Sequence, residues 1–123
     1  MTKTILDVGN CGPDHSAIRR LFEGSFQAEV LQANNAQETF QLLRSRSIDL
    51  VLVNRKLDED YSDGIEIIKA IKADSTLASI PVMLITNYEE HQEQAISIGA
   101  LRGFGKLSMR APETLQLLQS ALR

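Results

Sequence analysis

Asn54 closes a short apolar run, Asp49-Leu50-Val51-Leu52-Val53-Asn54. A β-branched run of this kind, polar at each end, reads as a strand buried on both faces in the middle of a parallel sheet. Chemistry in open α/β sheets gathers outside the carboxyl ends of the strands. Asn54 therefore stands where a reactive group is expected, yet an amide is neither a nucleophile at phosphorus nor an anionic metal ligand. Either the site is fixed in one state, or the amide simply hydrogen-bonds locally; the residues leave both open. Other chemistry-bearing side chains lie nearby in sequence. Asp7 falls inside the first strand, where a buried carboxylate must be paired or hydrogen-bonded. It either faces the pocket or is satisfied locally near the strand start, and the second is expected. Asp58, Glu59, Asp60 and Asp63 form an acidic loop whose spacing fits no calcium pattern, so a solvated loop is expected. Cys11 follows the first strand close to a helix N-terminus; a redox sensor is one reading, but an inert small residue is the expectation. His15 and His91 are not at metal-ligand spacing, and His15 is expected at the surface.

The elements that must position these groups follow from the apolar pattern. Thr4 to Val8 reads as a strand ending at Gly9-Asn10. Gly12-Pro13 opens a helix with proline in the first turn, where its missing N–H is harmless. Ile18, Leu21 and Phe22 form its stripe, and Gly24 is expected to close it. Ala28 to Leu31 is a weaker strand. Asn35 and Glu38 make a capping box for a helix that buries Ala36, Phe40 and Leu43. After the central strand and a polar stretch from Arg55 to Ser62, Asp63-Gly64 begins a helix with Ile67, Ile68 and Ile71 on one face. Ile80 to Thr86 is a fourth strand with Pro81 at its start. Asn87 is expected to cap a fourth helix, with Glu90 in the capping-box position and Ala95 and Ile98 facing inward. Leu101 to Phe104 is a last strand, and Pro112 enters a final helix carrying Leu115, Leu118 and Leu122.

Five strands alternating with five helices imply right-handed crossovers and a parallel sheet covered on both faces. The expected fold is a flavodoxin-like α/β domain over residues 1–123, a doubly wound five-stranded sheet of order 2-1-3-4-5. That order brings Gly9-Asn10, Asn54 and Thr86 together. The 123 residues, 43% of them hydrophobic, suit one domain with a sizeable core. A net charge of -3 argues against nucleic-acid binding, and no apolar run approaches a membrane span. Met1-Thr2-Lys3-Thr4 leads directly into the first strand, so no signal peptide is read. One cysteine gives no intrachain disulfide and no multi-cysteine metal site, and a reducing cytoplasm is the expected compartment.

Ile5 to Arg19, Asp49 to Asn54, Asp63-Gly64, Ile80 to Thr86, Gly99-Ala100 and Lys106, in this order and spacing, resemble the receiver domain of two-component response regulators over essentially the whole chain. The resemblance implies a phosphoacceptor position at Asn54 and an acidic metal-binding pair at Gly9 and Asn10. It also implies phosphoryl contacts from Thr86 and Lys106. The family's aspartate accepts a phosphoryl group from a histidine kinase with Mg²⁺ bound. Here all three carboxylates are replaced, and Mg²⁺ requires hard anionic oxygens. The resemblance therefore implies a pseudo-receiver with no catalytic residue, no metal and no cofactor. It is expected to work through phosphorylation-independent contact with a protein partner, a histidine kinase or a downstream signalling protein. The fourth helix, fifth strand and fifth helix form the expected contact face, which also suits a homodimer. The chain ends just after the fifth helix, so a stand-alone receiver is expected. Two other classes stay open: a phosphoacceptor using Asp58 or Asp7, and a small-anion module at Lys106 and Thr86. Three further departures stand out. The loop from Asn54 to Gly64 is two residues longer than the family spacing, with Leu57-Asp58 where a Met-Pro pair is common. The family's Lys-Pro dipeptide reads Lys106-Leu107. The aromatic switch position is Gly103, with Phe104 one place later.

Overall fold

The structure is a computed structural model and describes residues 2–123; Met1, with its place in the direct entry to the first strand, lies outside them. A parallel sheet of order β2-β1-β3-β4-β5 carries the chain. Its strands are β1 (Lys3–Val8), β2 (Ala28–Ala33), β3 (Leu50–Asn54), β4 (Val82–Ile85) and β5 (Leu101–Phe104). The helices are α1 (Gly12–Ser25), α2 (Ala36–Ser45), α3 (Gly64–Ala73), α4 (Glu89–Ser97) and α5 (Pro112–Ala121), with a 3-10 turn at Lys106–Ser108. The flavodoxin-like architecture expected from the sequence is thus the observed one.

Alternation along the strands builds two cores. Leu50 and Leu52 of β3 join Ile5, Ile18, Phe22, Met83, Phe104 and Leu118 on the α1–α5 face. Val51 and Val53 join Val8, Ile68, Ile71, Leu84 and Ala95 on the face covered by α2, α3 and α4. All four apolar β3 residues are fully buried, as a central parallel strand requires. Asp49 fastens the strand entrance: its carboxylate accepts from the Thr4 N–H at 2.8 Å.

The helix ends correct two expectations and bear out a third. α1 passes Gly24 and ends at Ser25, where the Phe26 N–H still reaches the Phe22 carbonyl. Asn35 does cap α2, accepting from the Glu38 N–H at 2.9 Å. Asn87 does not cap α4; Tyr88 holds that position without a side-chain bond, and the Asn87 Oδ1 instead accepts from the Leu107 N–H. The carbonyl is drawn across to the 3-10 turn because that turn presents an otherwise free N–H beside it.

β5 does not run in simple register. Met83 pairs with Leu101 and Ile85 with Phe104, so three steps on β5 oppose two on β4. The extra residue is a bulge, which leaves ladder groups unpaired. Gln92 of α4, only 4% exposed, supplies them. Its Nε2 donates to the Leu84 carbonyl (3.0 Å) and the Thr86 carbonyl (3.3 Å), and its Oε1 accepts from the Gly103 N–H (2.8 Å). A Cβ at Gly103 would collide with the Leu84 carbonyl oxygen, so only glycine lets the strands close here.

The bulge predicts the effect of one substitution. Gln92→Leu keeps the volume but strands the Gly103 N–H and the Leu84 carbonyl. A loss of about 2–4 kcal/mol is expected, on the order of 1–3 kcal/mol per buried unsatisfied group. Urea unfolding measures it, and faster amide exchange at Gly103 locates it.

Candidate functional site

The carboxyl ends of β1, β3 and β4 converge as the topology requires, and Gly9, Asn10, Asn54 and Thr86 meet there. Asn54 is half-buried. Its Nδ2 donates to the Gly9 carbonyl at 3.2 Å and to the Lys56 carbonyl at 2.8 Å. The Gly9 carbonyl also accepts from the Asp58 N–H at 2.9 Å, so two donors occupy it. The amide is therefore a clasp joining the β1 loop to the β3–α3 loop. A carboxylate at position 54 would face two carbonyl oxygens with nothing to donate.

Gly9 has φ +80, a conformation glycine adopts at little cost. A Cβ there would meet the Leu57 Cγ at 2.5 Å and Cδ1 at 3.0 Å. Leu57 is fully buried and belongs to the main core. The stretch from Arg55 to Ser62, read as polar, thus contains a leucine plug driven into the site. The Leu57 N–H donates to the Ser62 carbonyl and the Tyr61 N–H to the Leu57 carbonyl, both at 2.9 Å, which holds the plug in place.

Asn10 turns its Nδ2 onto the Asp7 carboxylate, leaving its Oδ1 buried without a partner. Asp7 is wholly buried, and its other oxygen lies 2.7 Å from the His15 Nδ1. Two expectations are corrected here. Asp7 is satisfied by the residues that follow β1, not at the strand start. His15 is not a surface residue; it folds inward, because the buried carboxylate needs a second polar partner. Burial pushes the Asp7 carboxyl above its usual range, against the bonds from Asn10 and His15 and the charges of His15 and Lys106, which pull it down.

Lys106 pairs with Asp14 of α1 at 2.7 Å, each side chain about one-third exposed. The Cys11 Sγ contacts the same carboxylate oxygen at 3.3 Å. The Lys106 bond, with a smaller contribution from Cys11, holds the Asp14 carboxyl below its usual range. Asp14 was not singled out from the sequence. Its place one turn into α1, facing the turn that carries Lys106, is a long-range relation that no local pattern reveals. Thr86 is nearly buried, and its Oγ1 accepts from the Tyr88 N–H at 3.2 Å and lies 3.3 Å from the His91 Nδ1. Phe104 is buried in the α1–α5 core, carried there by the β5 bulge. Asp58 is exposed beside the site.

This donor set does not suit Mg²⁺. The positions a cation would need carry glycine and two amides whose nitrogens are spent on carbonyls or on Asp7, and among the described residues no group of three or more histidine, cysteine or acidic side chains is placed to hold a metal ion. Beside the clasp, Arg55, Thr86 and Lys106 line a notch of about 150 Å³.

Comparison with known proteins follows this geometry. A family model described as "Response regulator receiver domain" matches residues 14–115. The chain is 27% identical to the polar-differentiation response regulators DivK of Brucella ovis and Brucella abortus, covering 99% of this chain and 98% of theirs. Its fold is similar to that of a putative response regulator from Chloroflexus aurantiacus, with a TM-score of 0.85 at 17% identity over 99% of this chain and 98% of that one. It is also similar to a signal receiver domain from Colwellia psychrerythraea, with a TM-score of 0.82 at 21% identity and 96% coverage of each chain.

The Asp7 environment sets a pH dependence. Its folded pKa is raised from about 3.8, so through the interval above that value the folded chain keeps a proton the unfolded chain has lost. Its contribution to stability is therefore fully present below about 3.8 and is lost as pH rises through the folded value. Asp7→Asn, neutral at every pH, removes this term. Urea unfolding of both proteins across the acid-to-neutral range should show the natural chain losing stability relative to the variant as pH rises.

Proposed function

The chain belongs to the response regulator receiver domain family, and on that premise we propose that it is a pseudo-receiver that signals by protein contact without being phosphorylated. The observation that carries this reading is the Asn54 clasp. The atom at the phosphoacceptor-equivalent position is a hydrogen-bond donor committed to two carbonyls. A nucleophile needs a free lone pair, and phosphoryl transfer needs charge neutralisation. Neither substitute acid repairs this. Asp7 is sealed from any phosphodonor, and Asp58 is tethered through its own N–H to the Gly9 carbonyl without a metal-binding partner carboxylate. No catalytic residue or cofactor is assigned.

The partner is a protein, a histidine kinase or a downstream signalling component, and the contact face is α4, β5 and α5. On or beside that face Tyr88 is 59% exposed, Leu101 44% and Leu107 90%, next to a groove of about 310 Å³. A homodimer through the same surface fits these residues. No helix among the described residues is long and apolar enough to cross a membrane. The acidic net charge speaks against nucleic acid. Cytoplasmic placement accords with the single cysteine.

A second reading, a small-anion module, draws on the notch where Arg55 and Lys106 flank Thr86. Against it, the Lys106 charge is already met by Asp14.

An amide NMR titration tests both. The natural chain should give no saturable shifts at Asn54, Thr86 or Lys106 with Mg²⁺, or with Mg²⁺ and beryllofluoride. Inorganic phosphate should give only ionic-strength effects. Asn54→Asp with Asn10→Asp and Gly9→Asp should stay silent while Leu57 fills the site, and respond once Leu57→Ala clears it. Saturable shifts in the natural chain with Mg²⁺ and beryllofluoride would overturn the pseudo-receiver reading. Shifts with phosphate alone would favour the anion module.

A further inference from the structure

The β3–α3 loop holds a large aromatic residue in a conformation such residues avoid. Tyr61 has φ +58 and is 74% exposed. For a bulky residue this left-handed conformation costs on the order of 1–3 kcal/mol. The loop is nevertheless tightly built. Leu57 anchors it in the core, and Asp60 Oδ1 accepts from both the N–H and the hydroxyl of Ser62, at 2.9 and 2.6 Å. Asn35 of α2 donates to Glu59 at 2.8 Å. The ring is thus presented to solvent on a rigid support.

Next to this loop, between α2 and the start of α3, lies a notch of about 190 Å³. Its floor is Ala36, Phe40, Ile67 and Ala70, and its rim includes Asp63 and Glu66. Among the described residues, Asp58, Glu59, Asp60 and Asp63 form no ion pair; Glu66 pairs only with its exposed neighbour Lys69. Hydrogen bonds from Ser62 hold the Asp60 carboxyl below its usual range, which keeps it charged. An apolar notch, an exposed aromatic ring and four carboxylates without ion-pair partners among the described residues occur side by side. Aromatic anchors on preorganised supports dominate interface energies, and complementary charge selects the partner.

We propose that the Tyr61 loop and the α2–α3 notch form a docking site for a basic segment of a partner protein. That segment places one large apolar side chain in the notch, with lysine or arginine on either side against the acidic loop. The site lies outside α4, β5 and α5 and requires no phosphoryl chemistry at Asn54, so its failure and that of the pseudo-receiver reading are separately visible.

The test is selection of displayed random peptides on the full chain, followed by NMR and calorimetry with the enriched synthetic peptides. Enrichment of a leucine, methionine or phenylalanine flanked by lysine or arginine is expected. Amide shifts should map to residues 36–40, 58–63 and 66–70. Ala70→Leu, which fills the notch, and the combined Asp58→Asn, Glu59→Gln and Asp60→Asn variant should each weaken binding roughly tenfold or more. Added salt should weaken it further. Tyr61→Asn separates function from structure, because asparagine tolerates the left-handed region. It should match or exceed the natural chain in thermal stability while binding roughly tenfold more weakly. No enrichment, enrichment without basic residues, shifts confined to α4 and β5, or binding untouched by these variants would each overturn the proposal. Concentration-dependent shifts of these residues without peptide would assign the site to a second copy of the chain instead.

Discussion

Two backbone carbonyls, from Gly9 and Lys56, point at the same nitrogen, the amide of Asn54. That convergence is the constraint around which the end of the sheet is arranged. Oxygens that face one another repel unless a donor or a cation sits between them. Here the donor is covalently part of β3. It joins the β1 loop to the β3–α3 loop and lets Leu57 descend into the space beside Gly9, where any Cβ would block it. The amide, the glycine and the leucine are mutually dependent, and restoring one carboxylate would disturb the other two.

Charge is arranged to match. The cluster contains two carboxylates, Asp7 and Asp14, and each is committed to a partner: Asp7 to His15 of α1, and Asp14 of α1 to Lys106. Asp7 takes Asn10 and His15 as partners, and Asp14 takes Lys106. The lysine thus ties the turn after β5 to the first helix across 92 positions of sequence. A partly exposed pair of this kind adds little stability by itself. Its effect is to consume the charge that would otherwise leave an open basic site.

The central strand and its covering helices were legible because the continuous apolar run of β3 and the isoleucine stripe of α3 are local signals. The positions of Gly9, Asn10, Asn54 and Thr86 were legible because topology alone brings strand ends together, whereas Lys106 was reached only through the family resemblance. What local pattern could not carry was side-chain choice between competing partners. Asn87 has the chemistry of a cap, yet it serves the Leu107 N–H. His15 looks like a solvent-facing helical residue until the buried Asp7 beneath it demands a partner. Leu57 lies in a run of charges that masks a core residue. The displacement of Phe104 relative to Gly103 is visible as an offset in sequence, but its cause, a bulge repaired by Gln92, requires three elements at once.

The bulge has a consequence for how β5 and α4 depend on each other. A one-residue slip of β5 on β4 would turn Phe104 away from the α1–α5 core, and the bulge keeps it inside. The choice is made by a glutamine on the preceding helix, eleven residues before the glycine it engages. The offset alignment of β5 is thereby coupled to the seating of α4: lifting that helix from the sheet also frees the Gly103 N–H and the Leu84 carbonyl.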